Sequence, residues 1–168
     1  MSQQEKKWPL EGVRVLDLGQ IYNGPYAGFL MAHAGADVIK LEPLHGEILR
    51  QRGGGIVPLS FAMLNTNKRG IAINLKDQIG KNILKDLVKK ADVLLENFSP
   101  DAMDRLGLVS DVLTKINPRL IYASGTGYGL SGPDKNNLAM DLTVQAIGGV
   151  MSINGPEDGP PMKTGLAI

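Results

Sequence analysis

Apolar residues fall along this chain in short runs that alternate with stretches of helical spacing. Val13, Val15, Leu16 and Leu18 form a run of strand length with little alternation, the pattern of a parallel strand covered on both faces. Gly19 ends it. Gly24, Pro25 and Gly28 then supply a turn and the fixed φ of a first helical position, after which Tyr26, Phe29, Leu30 and Ala34 recur at helical spacing. Gly35 stops the helix, residues 36–41 read as a second strand, and Glu42-Pro43 closes it because proline cannot continue a buried ladder. Residues 13–42 therefore predict one βαβ unit, whose crevice at the carboxyl end of the first strand suits a phosphorylated, nucleotide-like ligand.

The same alternation continues. Residues 44–57, with Gly46, Arg50, Arg52 and the triplet Gly53-Gly54-Gly55, predict a loop without stable helix or central strand, either a solvated linker or a flap over a ligand. A polar turn over 65–70 leads into Ile71, Ile73 and Leu75, a third strand at period two, and Asp77 caps a helix whose apolar face is Ile79, Ile83, Leu84, Leu87 and Val88. Residues 91–97 repeat the second strand's pattern, and Ser99-Pro100 predicts a capped helix start carrying Ala102, Met103 and Leu106 up to Gly107. Ser110 starts another short helix through Ile116, and Leu120, Ile121 and Ala123 form a fifth strand. A second glycine-rich turn, residues 125–129, follows it, so the ends of strands one, four and five are expected to converge. A last helix spans about 140–147 before the break at Gly148-Gly149 and a polar loop over 154–161. The fold class expected is α/β, Rossmann-like, with a mostly parallel sheet and flanking helices.

Composition narrows the chemistry. With 43% hydrophobic and 21% charged residues over 168 positions the chain is ordinary globular protein, long enough for a real core. A net charge of +1 gives no bulk electrostatic reason to bind nucleic acid. Locally, seven Lys or Arg stand against Asp77 and Asp86 between residues 68 and 90, and Lys68, Arg69 and Lys76 lie at strand ends where phosphate sites gather. There is no cysteine, and His33 and His45 are the only imidazoles, so neither a thiolate nucleophile nor a zinc site is expected. The amino terminus lacks an apolar signal core and no run approaches bilayer length, which makes no membrane and a cytoplasmic location the expectation. The first turn, Gly19-Gln-Ile-Tyr-Asn-Gly24, matches neither G-x-G-x-x-G nor a P-loop, although Glu42 stands about twenty residues on, where a dinucleotide fold keeps its ribose-binding acid. No G-x-S-x-G exists around Ser124 or Ser131. Carboxylates near glycine-rich turns remain, Asp17 and Asp141 above all, each equally suited to a structural cap or pair.

Taken as ordered motifs, the chain resembles the class III CoA-transferases of the formyl-CoA and carnitine type over almost its whole length. The motifs are Leu10-Glu-Gly-Val-Arg-Val-Leu-Asp17, Gly24-Pro25, Gly35-Ala-Asp-Val-Ile-Lys-Leu-Glu42, Asn67-Lys68-Arg69, Ala91-Asp92-Val93, Glu96-Asn97-Phe98, Asn117-Pro118-Arg119-Leu120-Ile121 and Gly127-Tyr128-Gly129. Residues 1–9 read as a polar amino-terminal segment, and the resemblance implies that 10–168 are the amino-terminal part of a CoA-binding large domain, lacking a small domain and a carboxyl-terminal return. It implies CoA or acyl-CoA as substrate with no permanently bound cofactor, a carboxylic acid as acceptor, and an interlocked homodimer. CoA contacts are implied at Tyr22 and Asn23, at Ile73, Asn74, Leu75 and Lys76, at Asn97 and Phe98, and at Arg105, with Leu138, Ala139, Met140 and Asp141 flanking the thioester end.

The family's nucleophile is an aspartate that forms a mixed anhydride with the acyl group, and the resemblance implies that it falls just beyond Ile168, leaving no catalytic residue within 1–168. Asp141 matches a different acidic position. Acyl-CoA racemases of the same fold carry a histidine base immediately before that acid, where Met140 stands here, and a thioether cannot abstract a proton. A non-catalytic CoA-binding piece is the other alternative, and the missing fingerprint leaves an NAD-dependent oxidoreductase further behind.

Overall fold

A computed structural model of the chain describes residues 7–52 and 57–165, so the triplet Gly53-Gly54-Gly55 and the last three positions lie outside the described residues. The chain divides into two compact units, residues 1–125 and 126–168, each described by itself.

The first unit is built on a five-stranded, all-parallel sheet. Its strands are β1 (Arg14–Asp17), β2 (Asp37–Glu42), β3 (Arg69–Ala72), β4 (Val93–Glu96) and β5 (Ile121–Ser124), in the order β3-β2-β1-β4-β5. Strand β1 is central, pairing Leu16 with Ile39 on one side and with Leu94 on the other. Successive side chains point to opposite faces, and both faces are covered. Leu16, Leu18 and Leu94 pack with Leu84, Val88, Met103, Leu108 and Leu113, which come from α3 (Gln78–Val88), α4 (Ala102–Leu106), α5 (Ser110–Ile116) and the segments joining them. On the other face Val15, Val38, Val93 and Leu95 pack with Ala32 of α1 (Asn23–His33). Double coverage is the reason the strands read as continuous apolar runs.

Several elements depart from the sequence expectation. Strand β3 runs over Arg69–Ala72, so Ile73 lies just past it and Leu75 within the turn by which Asn74 leads the chain into the cap of α3. Helix α4 begins at Ala102 and not at Ser99: Asp101 adopts a left-handed φ of 60° ahead of it, and Ser99 contributes only its carbonyl, accepting from the Ala102 N–H. Among the described residues of 44–57 the chain forms a 3-10 turn, Ile48–Gln51, capped by Glu47, and α2 (Leu59–Asn65) follows Pro58. The apolar face expected of α3 is only partly buried: Leu84 and Val88 are in the core, whereas Ile79 is 71% exposed and Ile83 is also exposed. Asp77 caps α3 as expected, accepting from the Ile79 N–H at 2.8 Å.

The second unit holds α6 (Asp141–Ile147) and a 3-10 turn at Val150–Ile153. Gln145 is its buried polar centre, accepting from the Thr164 N–H at 2.9 Å and donating to Asp141 Oδ2 at 3.1 Å. Among the described residues no helix is long and apolar enough to cross a membrane, and no group of three His, Cys, Asp or Glu could hold a metal ion.

Candidate functional site

The strand order fixes where a ligand site belongs. The chain leaves β1 towards β2 and β3 on one side, then crosses to β4 and β5 on the other, so the carboxyl ends of β1 and β4 bound a topological switch point. Crevices there are the usual ligand sites of open α/β sheets, since the two connections diverge and uncover the strand ends.

Two segments meet at this point. The turn 19–22 connects β1 to α1, and Asn97-Phe98 leaves β4. They are locked together, because Asn97 Oδ1 accepts from the Gln20 N–H at 2.6 Å while its Nδ2 donates to the Gln20 carbonyl at 2.9 Å. The Asn97 amide is thus engaged in holding the first turn, with Tyr22 and Asn23 exposed directly after it. The neighbouring strand end adds a polar pair. Glu96 is buried and accepts from the Phe98 N–H at 3.0 Å. Burial, followed by the charge of Glu96, pushes the Tyr122 phenol far above its ordinary range, so it is protonated at any physiological pH.

The other residues proposed to touch CoA are distributed as follows. Ile73 is buried in the core, and its N–H donates to the Glu42 carbonyl at 2.8 Å. Asn74 Oδ1 accepts from the Lys76 N–H at 3.1 Å, Leu75 packs against the core, and Lys76 is exposed. The turn of residues 73–76 follows β3, with β2 standing between it and the β1 turn. A Cβ at Gly80 would meet the Asn74 carbonyl oxygen at 2.0 Å, so the close packing of this turn on α3 requires glycine there. Arg105 is exposed on α4, and among the described residues neither it nor Lys76 joins an ion pair. Leu138, Ala139, Met140 and Asp141 belong to the second unit, where Leu138, Met140 and Asp141 are exposed and Ala139 packs on Gly127.

Behind the first turn lies a buried set of charges that local pattern does not reveal. Lys68 is not available to a phosphate: its Nζ donates to Asp17 Oδ2 at 2.7 Å, to the Pro25 carbonyl at 2.8 Å and to Asn65 Oδ1 at 3.1 Å. Burial lowers the Lys68 pKa, and the Asp17 carboxylate opposes that shift. A Cβ at Gly28 would stand 2.6 Å from Asp17 Oδ2, so helix α1 approaches this pair only because residue 28 is glycine. Asp17 is therefore a structural partner, its Oδ1 also accepting from the Gly19 N–H at 2.8 Å. Arg69 is taken up too, forking onto Asp37 at 2.9 and 2.7 Å. Glu42 does not offer a free ribose-binding acid, since Arg50 forks onto it at 2.6 and 2.8 Å and the Glu47 N–H donates to it at 3.0 Å. Lys40 is buried, donating to the Gly19 carbonyl, and Glu47 is buried with Oε1 accepting from the Ile21 N–H at 2.8 Å. Sequence reasoning missed Lys40 and Glu47. The one available signal was a charged residue inside an apolar strand, Lys40 between Ile39 and Leu41.

Known proteins resemble this chain over nearly all of its length. The sequence profile of CoA-transferase family III matches residues 10–168. A formyl-CoA:oxalate CoA-transferase of Streptomyces coelicolor is 48% identical over 162 residues, covering 95% of this chain and 39% of that protein. The succinyl-CoA:glutarate CoA-transferase of Mus musculus is 42% identical over 95% of the chain and 38% of its own length, so the chain spans about two fifths of these curated relatives. Among solved structures, a CAIB/BAIF family protein from Brucella suis superposes with a TM-score of 0.90 at 36% identity, covering 96% of this chain and 45% of that one. A hypothetical protein from Mycobacterium tuberculosis gives a TM-score of 0.88 at 37% identity, covering 96% of this chain and 45% of its own. With nearly all of its length matched and the parallel sheet shared, the chain belongs to CoA-transferase family III.

Proposed function

We propose that residues 10–168 form the amino-terminal part of the CoA-binding large domain of an enzyme that moves CoA from an acyl-CoA thioester to a carboxylic acid. The observation that carries this reading is the interlock of the Gly19 turn with Asn97 at the β1/β4 switch point, in a chain of this family. Tyr22, Asn23 and Phe98 bound the crevice, the turn of residues 73–76 lies at its continuation, and Lys76 and Arg105 offer exposed positive charge to the phosphates of CoA. For the second unit, the family resemblance alone assigns Leu138, Ala139, Met140 and Asp141 to the thioester end of the ligand.

In the proposed reaction a carboxylate oxygen of an aspartate forms a bond to the thioester carbonyl carbon. The C–S bond breaks, CoA leaves as the thiolate with the electron pair, and a mixed anhydride remains. The thiolate then attacks the aspartyl carbonyl of the anhydride, releasing the donor carboxylate and leaving an aspartyl-CoA thioester. The acceptor carboxylate displaces the CoA thiolate from it to form a second anhydride. Attack of that thiolate on the acceptor's acyl carbon gives the new acyl-CoA and returns the aspartate. By the family resemblance this nucleophile follows the segment 164–168, and Asp141 does not replace it: Asp141 accepts from Gln145 Nε2 at 3.1 Å within its own unit. Within 1–168 the contribution is binding and orientation. The same resemblance extends the proposal to a cytoplasmic, interlocked homodimer that handles acyl-CoA without a resident cofactor. Met140 supports transfer over racemisation, because it occupies the place of the racemase base and carries no proton acceptor.

The test is acyl exchange by the complete protein, with formyl-CoA or succinyl-CoA as donor and oxalate or glutarate as acceptor, resolved by chromatography. New thioester formed in step with free donor acid supports the reading. Exchange of the α-proton of a branched acyl-CoA in heavy water, without CoA transfer, would establish the racemase instead. Calorimetry with CoA tests the site: the double variant Lys76→Ala, Arg105→Ala binds CoA about tenfold or more weakly, as expected for two lost charge-assisted phosphate contacts. Equal binding by that variant and wild type removes Lys76 and Arg105 from the site.

A further inference from the structure

Ile21 is the strained residue of the first turn. Its φ of 63° lies in the left-handed region, which a β-branched side chain seldom occupies. It stands immediately before Tyr22 and Asn23, so its conformation sets where those two residues point. Four hydrogen bonds shape the turn ahead of it: Asp17 accepts from the Gly19 N–H, Lys40 donates to the Gly19 carbonyl, and Asn97 pairs with both backbone groups of Gln20. Ile21 itself is held by the segments after β2, the capped 3-10 turn and helix α2. Glu47 Oε1 accepts from its N–H at 2.8 Å, and its side chain packs on Leu49, Phe61 and Leu64. That segment is in turn fixed by the Arg50 fork on Glu42 and by the Arg50 guanidinium 3.9 Å above the Phe61 ring. Glu47 is almost fully buried, which is costly for a carboxylate that is not fully paired and hydrogen-bonded, and among the described residues its Oε2 has no hydrogen-bond partner.

We infer that Glu47 is a positioning residue for CoA, holding Ile21 in its left-handed conformation so that the turn presents Tyr22 and Asn23 to the ligand. The inference rests on the CoA site proposed above. Glu47 touches no ligand in this scheme. It acts through the Ile21 N–H, and the segment 47–50 serves as a clamp that fixes the turn before CoA arrives, so that binding does not have to order it.

The experiment compares the complete wild-type protein with Glu47→Ala and Glu47→Gln, each measured for CoA affinity by calorimetry and for thermal stability. Glutamine loses the charge but keeps an amide oxygen at the place of Oε1, so it retains the bond to Ile21. Both variants are expected to melt below wild type. Only Glu47→Ala is expected to lose CoA affinity, by about tenfold, the scale of one hydrogen bond to a charged group. Glu47→Gln recovers most of that loss despite its lower melting temperature, a separation that a merely structural role would not produce. If Glu47→Ala does not fold, Glu47→Asp takes its place, since one methylene fewer withdraws the carboxylate from the Ile21 N–H. Wild-type affinity in Glu47→Ala or Glu47→Asp, or Glu47→Gln binding as weakly as alanine, overturns the positioning role while leaving the CoA site standing. Absence of CoA binding by wild type overturns the site and this inference together.

Discussion

Lys68 and Asp17, fifty-one positions apart in sequence, meet with Nζ 2.7 Å from Oδ2 and both side chains wholly withdrawn from solvent. The contact joins the end of β1 to the start of α1, since the same ammonium holds the Pro25 carbonyl at 2.8 Å. Each charge is tolerable only with the other. Asp17→Asn or Lys68→Met is therefore expected to cost about 3–5 kcal/mol, the usual penalty for stranding one charge of a buried pair. Replacing both with apolar residues is expected to recover much of the loss. Urea unfolding of the two single variants and the double variant checks this, and additive losses would show that the pair is not coupled.

Asn97 holds Gln20 through both its amide groups, at 2.6 and 2.9 Å. Asn97→Ala removes two hydrogen bonds at the switch point and is expected to lower stability by about 1–3 kcal/mol. Because the first turn is released, CoA affinity should fall as well, by about tenfold. Asn97→Asp is the sharper probe. It keeps the acceptor for the Gln20 N–H but turns the donor facing the Gln20 carbonyl into a second acceptor. Calorimetry should therefore find it no better than alanine.

Gly80 allows the Asn74 carbonyl to sit against α3, where an added Cβ would stand 2.0 Å from the oxygen. The clash is with backbone, so no side-chain rotation relieves it. Gly80→Ala is expected to destabilise by about 1–3 kcal/mol despite alanine's higher helix propensity. The turn 73–76 must then move, and CoA binding should weaken. A gain in melting temperature, as at an ordinary helical glycine, would refute the close approach.

Glu42 gives a pH dependence with a definite sign. Burial pushes its carboxyl up, but the Arg50 fork, the Glu47 N–H and nearby positive charge outweigh burial and hold it below its ordinary value of 4.5. The folded state thus favours the ionised form, and the stability it contributes is present above the unfolded value of 4.5 and lost as pH falls through the lower folded value. Arg50→Met removes the fork but leaves the burial, so the acid limb of the stability profile should begin at higher pH than in wild type. Denaturant midpoints measured down through the acid range decide it. Coincident limbs would mean that Arg50 does not set the titration of Glu42.

The sequence by itself determined the fold class, the approximate places of all five strands and the convergence of strands one, four and five. These depend on local matters: apolar runs for strands buried on both faces, glycine and proline at their ends, and helical spacing between them. The family was legible for the same reason, being written in contiguous motifs such as Glu96-Asn97-Phe98. Boundaries were less legible where a backbone choice competed, as at Asp101 with its left-handed φ of 60° and at the early end of β3. Only the tertiary structure decided what the charged residues do. Lys68, Arg69 and Glu42 read as ligand groups by position, yet each is spent on a carboxylate or guanidinium that the fold brings beside it. Glu47 gave no local signal, because its partner Ile21 is twenty-six residues away and the two meet only when β2 lies alongside β1. A side chain's reach is a few ångströms, so its partner is set by strand register and not by sequence neighbours.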